Sequence, residues 1–247
     1  MTLDGRVTLV TGGAIRLGRA IVQALAAEGA TVAVHHHHSV DEARSLVAEL
    51  RGHGRRAEAF HADLTDDAQL AALVADVERT LGPIHVLVNS AAQFTRATFL
   101  DTDATTLDAE WRLNARAPFL LTRAVARGMV DRREGVVVNV LDIGGALVAW
   151  RNYSAYCMTK AAMHMLTQVL ALELAPHVRV NGVAPGTVLP PESLGAAERE
   201  QLRSRIPLQR FGTAEDVAAT VRFLITGSDF VTGQVIAVDG GRVRGTP

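Results

Sequence analysis

Val7-Thr8-Leu9-Val10 runs directly into Thr11-Gly12-Gly13-Ala14-Ile15-Arg16-Leu17-Gly18, and a helical stretch opens immediately afterwards at Arg19. An apolar run, a glycine-rich turn and a helix in that order read as the start of a βαβ unit. Glycine at such a turn lets the backbone come close to a bound pyrophosphate at the positive end of the helix.

Outward from this junction the same alternation repeats. Strand-like runs recur at Thr31 to Val34, Ala57 to Phe60, Val86 to Val88, Val136 to Val140, Val178 to Val183 and Val235 to Val238. Most are β-branched, and several are apolar on both faces, as in a parallel sheet covered on each side. Helical stretches lie between them: Arg19 to Glu28, Val40 to Leu50, Asp66 to Leu81 with Thr65 as its cap, Thr105 to Met129, Ala155 to Ala175 and Ala214 to Thr226. The expected fold is α/β, a single-domain Rossmann-type doubly wound parallel sheet of about seven strands with helices on both faces. One domain spans 1–247. Its irregular connection, 186–212, contains Pro190, Pro191 and a short amphipathic segment, Gly195 to Arg205. It follows a strand's carboxyl end, where ligands bind in open α/β sheets, and reads as a substrate lid.

Composition narrows the function. The chain has 247 residues, 48% of them hydrophobic, and a formal net charge of -1, so no basic excess marks a nucleic-acid or membrane surface. No stretch reads as a secretory leader or a membrane span. One cysteine, Cys157, fits a reducing compartment, and a cytoplasmic location is expected. The 25 basic side chains comprise 24 arginines and one lysine, Lys160. A position that holds Lys amid so many Arg calls for a compact ammonium whose pKa burial can move.

Lys160 falls four residues after Tyr156, on the same face of a predicted helix. A phenol is a poor acid or base near neutrality, with a pKa of about 10, and a neighbouring cation favours its phenolate. Tyr156 is therefore a candidate general acid or base, and Lys160 is expected to lower its pKa. After the second strand, His35-His36-His37-His38-Ser39 stands where an NAD enzyme places an acid on the ribose 2'-hydroxyl. His38, Ser39 and Arg16 can instead donate to a 2'-phosphate, so NADP(H) is the expected cofactor. The histidine run is no expected metal site, because successive strand residues point to opposite faces.

Together these motifs resemble the short-chain dehydrogenase/reductase family, from Thr11 to the closing Val231-Thr232-Gly233-Gln234 and Val238-Asp239-Gly240-Gly241. The usual TGxxxGxG has Arg16 at its middle glycine, as in the pteridine reductase branch. The resemblance implies cofactor contacts at Gly12, Arg16, Leu17, Gly18, His38, Ser39, Tyr156 and Lys160. It adds Asp63 and Leu64 near the adenine, Asn89 at the strand end lining the cleft, and Pro185 and Gly186 against the carboxamide. It further implies that Asn114 bends its helix and holds a relay water beside catalytic Tyr156 and Lys160.

Asp142 stands where carbonyl-reducing members usually carry Ser, one residue farther from the tyrosine than is usual. An ionised aspartate repels a developing alkoxide but suits a substrate with N–H donors or one that takes up a proton on nitrogen. Pteridine reductases carry Asp there too. They place aromatics at the positions of Phe94 and Tyr153 as well, so Phe94, Asp142, Tyr153 and Arg16 are the implied substrate contacts. The resulting expectation is NADPH-dependent hydride transfer to a C=N bond of a pterin-like small molecule, with no metal, by a homotetramer. A carbonyl reductase acting on 3-oxoacyl groups and a non-catalytic NADP(H)-binding regulator are the alternatives.

Overall fold

The computed structural model describes residues 1–190 and 195–244. Seven parallel strands form one sheet in the order β3-β2-β1-β4-β5-β6-β7. They are β1 (Val7–Val10), β2 (Thr31–His36), β3 (Ala57–His61), β4 (Ile84–Asn89), β5 (Gly135–Val140), β6 (Val178–Pro185) and β7 (Val235–Val238). The order reverses between β1 and β4, and this switch point opens a crevice at the strands' carboxyl ends.

The helices are α1 (Arg16–Ala27), α2 (Val40–Gly52), α3 (Asp67–Leu81), α4 (Ala104–Trp111), α5 (Ala117–Asp131), α6 (Ile143–Ala146), α7 (Ser154–Glu173), α8 (Ala196–Ser204) and α9 (Ala214–Thr226). Strand β5 shows why its run is apolar throughout. Val136 and Val138 enter a core with α1, α2 and α9, while Val137 enters the opposite core with α3, α5 and α7. Both faces are buried, so alternation gives way to continuous hydrophobicity.

Two details correct the sequence expectation. Asp66, not Thr65, caps α3, accepting hydrogen bonds from the amides of Ala68 and Gln69. The helix expected over Thr105 to Met129 is interrupted by a π-helical turn, Arg112–Arg116, between α4 and α5. Asn114 lies in that turn, and such local widenings commonly accompany functional sites. The two ends of the segment 186–212 meet, with Val188 bridging Gly212 and the Gly212 amide donating to the Thr187 carbonyl at 3.1 Å. Within it α8 forms as expected, while residues 191–194, with Pro191, lie outside the described residues.

Candidate active site

The glycine turn is built around close approaches. Gly12 has φ +61°, and a Cβ on Gly18 would lie 2.0 Å from the Gly12 carbonyl oxygen, so Gly18 admits no side chain. Arg16 keeps the left-handed backbone (φ 49°) that a glycine at this position would adopt without strain. Helix α1 starts with no side-chain cap and no acid in its first turn, unlike α3 and α9. Its first amides are thus left for an anion.

These residues line a groove of about 870 Å³ that runs past His35 to Ser39, past Ala62 to Thr65, and past Ser90 to Gln93. Gly12, Arg16, Leu17, Gly18, His38, Ser39, Asp63 and Leu64 all border it. The groove's shape, bare helix end and lack of an acid on β2 fit a dinucleotide with a 2'-phosphate. Asp63 is held below the usual carboxylate range by hydrogen bonds from the amide and hydroxyl of Thr65.

Asn89 does not border the groove. Its side chain is buried and donates to Asn139 at 2.9 Å and to Thr122 at 3.2 Å, fixing the ends of β4 and β5 from inside. Pro185 and Gly186 do not line it either. Pro185 ends β6 in register with Val238, and Gly186 packs so closely on Asp239 that a Cβ would meet it at 2.7 Å.

A second cluster adjoins the groove at Gln93. Tyr156 and Lys160 lie one turn apart on α7, both buried. The Tyr156 hydroxyl donates to Asp142 at 3.1 Å, and the Lys160 ammonium donates to the Val140 carbonyl at 3.0 Å. Burial and then the Asp142 charge push the phenol's pKa up, the opposite of the lowering expected from Lys160. Burial lowers Lys160 to about 8 against the pull of Asp142 and Glu110. Burial also raises Asp142 to about 6, although the Gly144 amide, donating at 2.7 Å, and Lys160 oppose the shift. In this state Tyr156 is a protonated donor.

The stretch from Asp142 to Tyr156 breaks helical geometry at Gly144 and Gly145 in α6. Gly145 takes φ +83°, and a Cβ there would lie 2.2 Å from the Cys157 carbonyl oxygen, so the loop folds flat against α7 only with glycine. Phe94 stacks on Tyr153 with centroids 4.4 Å apart and planes at 10°, and meets Tyr156 edge-on at 4.7 Å. Trp150 adds its edge to both rings, and the Arg242 guanidinium lies 5.5 Å from the Trp150 centroid.

Asn114 is turned toward the loop that carries Phe94. It accepts from the Gln93 amide at 2.7 Å and donates to the Gln93 carbonyl at 2.8 Å. Glu110, one turn earlier and fully buried, accepts from the Thr95 amide at 2.6 Å. The two side chains clamp the backbone on either side of Phe94. Glu110 was not legible in sequence, where it reads as an ordinary acid on an amphipathic helix. Neither was His35, whose Nδ1 accepts from the Gly12 amide and whose Nε2 donates to the Ala62 carbonyl, both at 3.1 Å. That pattern requires the neutral ring, and burial lowers its pKa to about 4.

Comparison with known proteins agrees with this geometry. The family described as enoyl-(acyl carrier protein) reductase matches residues 13–242. The chain is 37% identical to the 3-oxoacyl-(acyl-carrier-protein) reductase FabG of Thermotoga maritima, over 98% of this chain and 100% of that one. It is 38% identical to the L-xylulose reductase of Bos taurus, over 98% of each. The crystal structure of FolM alternative dihydrofolate reductase 1 from Brucella canis, complexed with NADP, superimposes with a TM-score of 0.92 at 32% identity. That match covers 100% of this chain and 97% of the other. Fold and relatives define an NAD(P)-dependent oxidoreductase. The chain belongs to the short-chain dehydrogenase/reductase family.

Proposed function

We propose that this protein uses NADP(H) to reduce a C=N bond in a flat, pterin-like heterocycle, with Tyr156 as general acid. The observation that carries this reading is the Tyr156 hydroxyl donating to Asp142 at 3.1 Å, where a carbonyl reductase presents a serine hydroxyl. Bound NADPH supplies the hydride, and the ring nitrogen takes a proton. Tyr156, kept protonated by burial, is the donor, and Asp142 beside it accepts a substrate N–H or returns a proton to the phenol. Lys160, anchored on the Val140 carbonyl, holds the cofactor ribose and supplies positive charge.

The groove residues Gly12, Arg16, Leu17, Gly18, His38, Ser39, Asp63 and Leu64 hold the cofactor. Phe94 lies flat on Tyr153 and is 52% exposed, and that exposed surface is where a planar ring would pack. Asn114 sets that ring through Gln93, and the Arg16 guanidinium donates to the Leu189 carbonyl at 3.5 Å, at the base of the proposed lid. The structural neighbour described as an alternative dihydrofolate reductase supports the substrate class.

A second reading, reduction of 3-oxoacyl groups, is favoured by the Thermotoga maritima relative. Replacing Asp142 by Ser separates the two. Pterin reduction is expected to collapse in Asp142→Ser, whereas a 3-oxoacyl reductase keeps or gains activity. Exposed Phe119, Met165 and Leu172 on α5 and α7 support assembly as a homotetramer, and unpaired Cys157 supports a cytoplasmic site of action.

A further inference from the structure

The aromatic cluster beside Tyr156 ends on a guanidinium that no carboxylate neutralises. Arg242, in the turn that follows β7, is half-buried, with its head 5.5 Å from the Trp150 centroid, and it donates to the Thr187 hydroxyl at the start of the proposed lid. Trp150 in turn meets Phe94 edge-on, centroids 6.3 Å apart, and Tyr153 at 5.9 Å. Arg242 therefore stands one ring beyond Phe94 and Tyr153. A guanidinium taken this far out of water is commonly paired with an acid. Among the described residues Arg242 forms no ion pair.

The acids whose charges reach it are committed elsewhere. The Asp239 carboxylate accepts from the amides of Gly241 at 2.9 Å and Val243 at 2.7 Å, and Asp142 accepts from the Gly144 amide and the Tyr156 hydroxyl. The strongest charge acting on Arg242 is a second cation, Arg205, which ends α8 in the proposed lid, is exposed, and has no ion pair among the described residues. Packing brings the two together: the Leu208 amide donates to the Gly240 carbonyl at 3.1 Å, and a Cβ on Gly240 would lie 2.6 Å from the Ile206 side chain. Burial, and then the repulsion from Arg205, hold Arg242 below the ordinary arginine range. A bound anion offsets both.

We propose, resting on the reading above in which the reacting ring lies beside Tyr156 and Phe94, that Arg242 and the lid's Arg205 bind a carboxylate on the substrate's side chain. A guanidinium fork matches the two oxygens of a carboxylate, and its flat face remains free to pack on an aromatic such as Trp150. The fields of Asp142 and Asp239 oppose a dianion, so a carboxylate fits better than a phosphate. The substrate is then an acidic heterocycle, with its ring at Phe94 and its acid group past Trp150.

The test measures binding and turnover on two sets of compounds: a dihydropterin whose side chain ends in a carboxylate, with its carboxamide, and a keto acid of the same reach, with its amide. Kd is read by calorimetry on the complex with NADP+, and turnover by NADPH oxidation. The acid is expected to bind about 10- to 100-fold tighter than its amide. That ratio is expected to fall close to one in Arg242→Gln, with Arg242→Lys between the two. In Arg205→Gln, at an exposed position, it is expected to fall about two- to fivefold. A residue that only packs on Trp150 and Thr187 would weaken acid and amide alike and leave the ratio intact. No binding of either acid, a ratio near one in both sets, or a ratio that survives in Arg242→Gln overturns the proposal; should that variant not fold, an unchanged ratio in Arg205→Gln does so. The reading of the reacting bond fails separately. Preference for the keto acid with no turnover of either dihydropterin removes the C=N substrate and keeps the carboxylate, whereas turnover of both dihydropterins with equal affinity keeps the ring and removes the carboxylate.

Discussion

The Tyr156 hydroxyl donates to the Asp142 carboxylate at 3.1 Å, and both groups are displaced upward from their ordinary pKa by burial. For Asp142, raised to about 6, the proton is held below that pH and lost above it. Reduction consumes a proton, so the protonated pair is the more competent form. At saturating NADPH, kcat/KM for pterin reduction is expected to decline as pH rises through about 6. Stopped-flow single turnovers in Asp142→Asn should lack that limb.

Lys160 is 3% exposed, and its ammonium donates to the Val140 carbonyl at 3.0 Å. Arg preserves the charge but brings a larger planar head with a different donor geometry. Lys160→Arg is expected to lose about 100-fold or more in kcat, measured by steady-state NADPH oxidation, although the net charge is unchanged.

Glu110 and Asn114 hold the backbone on either side of Phe94, so the stacking ring owes its position to a helix behind it. Glu110→Ala leaves the partly buried Thr95 amide without its partner, a cost of about 1 kcal/mol. KM for a ring substrate should rise in that variant while the Kd for NADPH stays put. Glu110→Gln keeps an acceptor and is expected to restore KM.

His35 contributes a pH dependence to folding. Its native pKa, about 4, lies below the ordinary histidine value of 6.5. The unfolded chain then binds a proton first, so stability is complete above pH 6.5 and is lost as pH falls toward 4, by about 3 kcal/mol in all. Urea unfolding at intervals between pH 7 and 4 should show this slope in the wild type and a shallower one in His35→Gln.

Much of this was legible in the chain because hydrophobic runs and glycines carry it. Val136 to Val140 declares a strand buried on both faces, and Gly12 with Gly18 declares a turn that tolerates no Cβ. What resisted reading was set by contacts distant in sequence. Asn89 sits at the expected strand end, yet its amide turns inward to Asn139, fifty residues away. The direction of the Tyr156 shift depends on its hydrogen bond to Asp142 and on how deeply both are buried, and neither follows from spacing along α7. Glu110 and His35 became visible as site residues only once tertiary packing put them against Thr95 and Gly12.

The most direct test of the substrate class places a dihydropterin and an acetoacetyl thioester side by side with purified protein and NADPH, followed at the nicotinamide absorbance. Oxidation of NADPH with the dihydropterin, at a kcat/KM well above that for the thioester, is the result predicted by Asp142 beside Tyr156 and by the exposed ring of Phe94. Turnover of the thioester with none of the dihydropterin would contradict it.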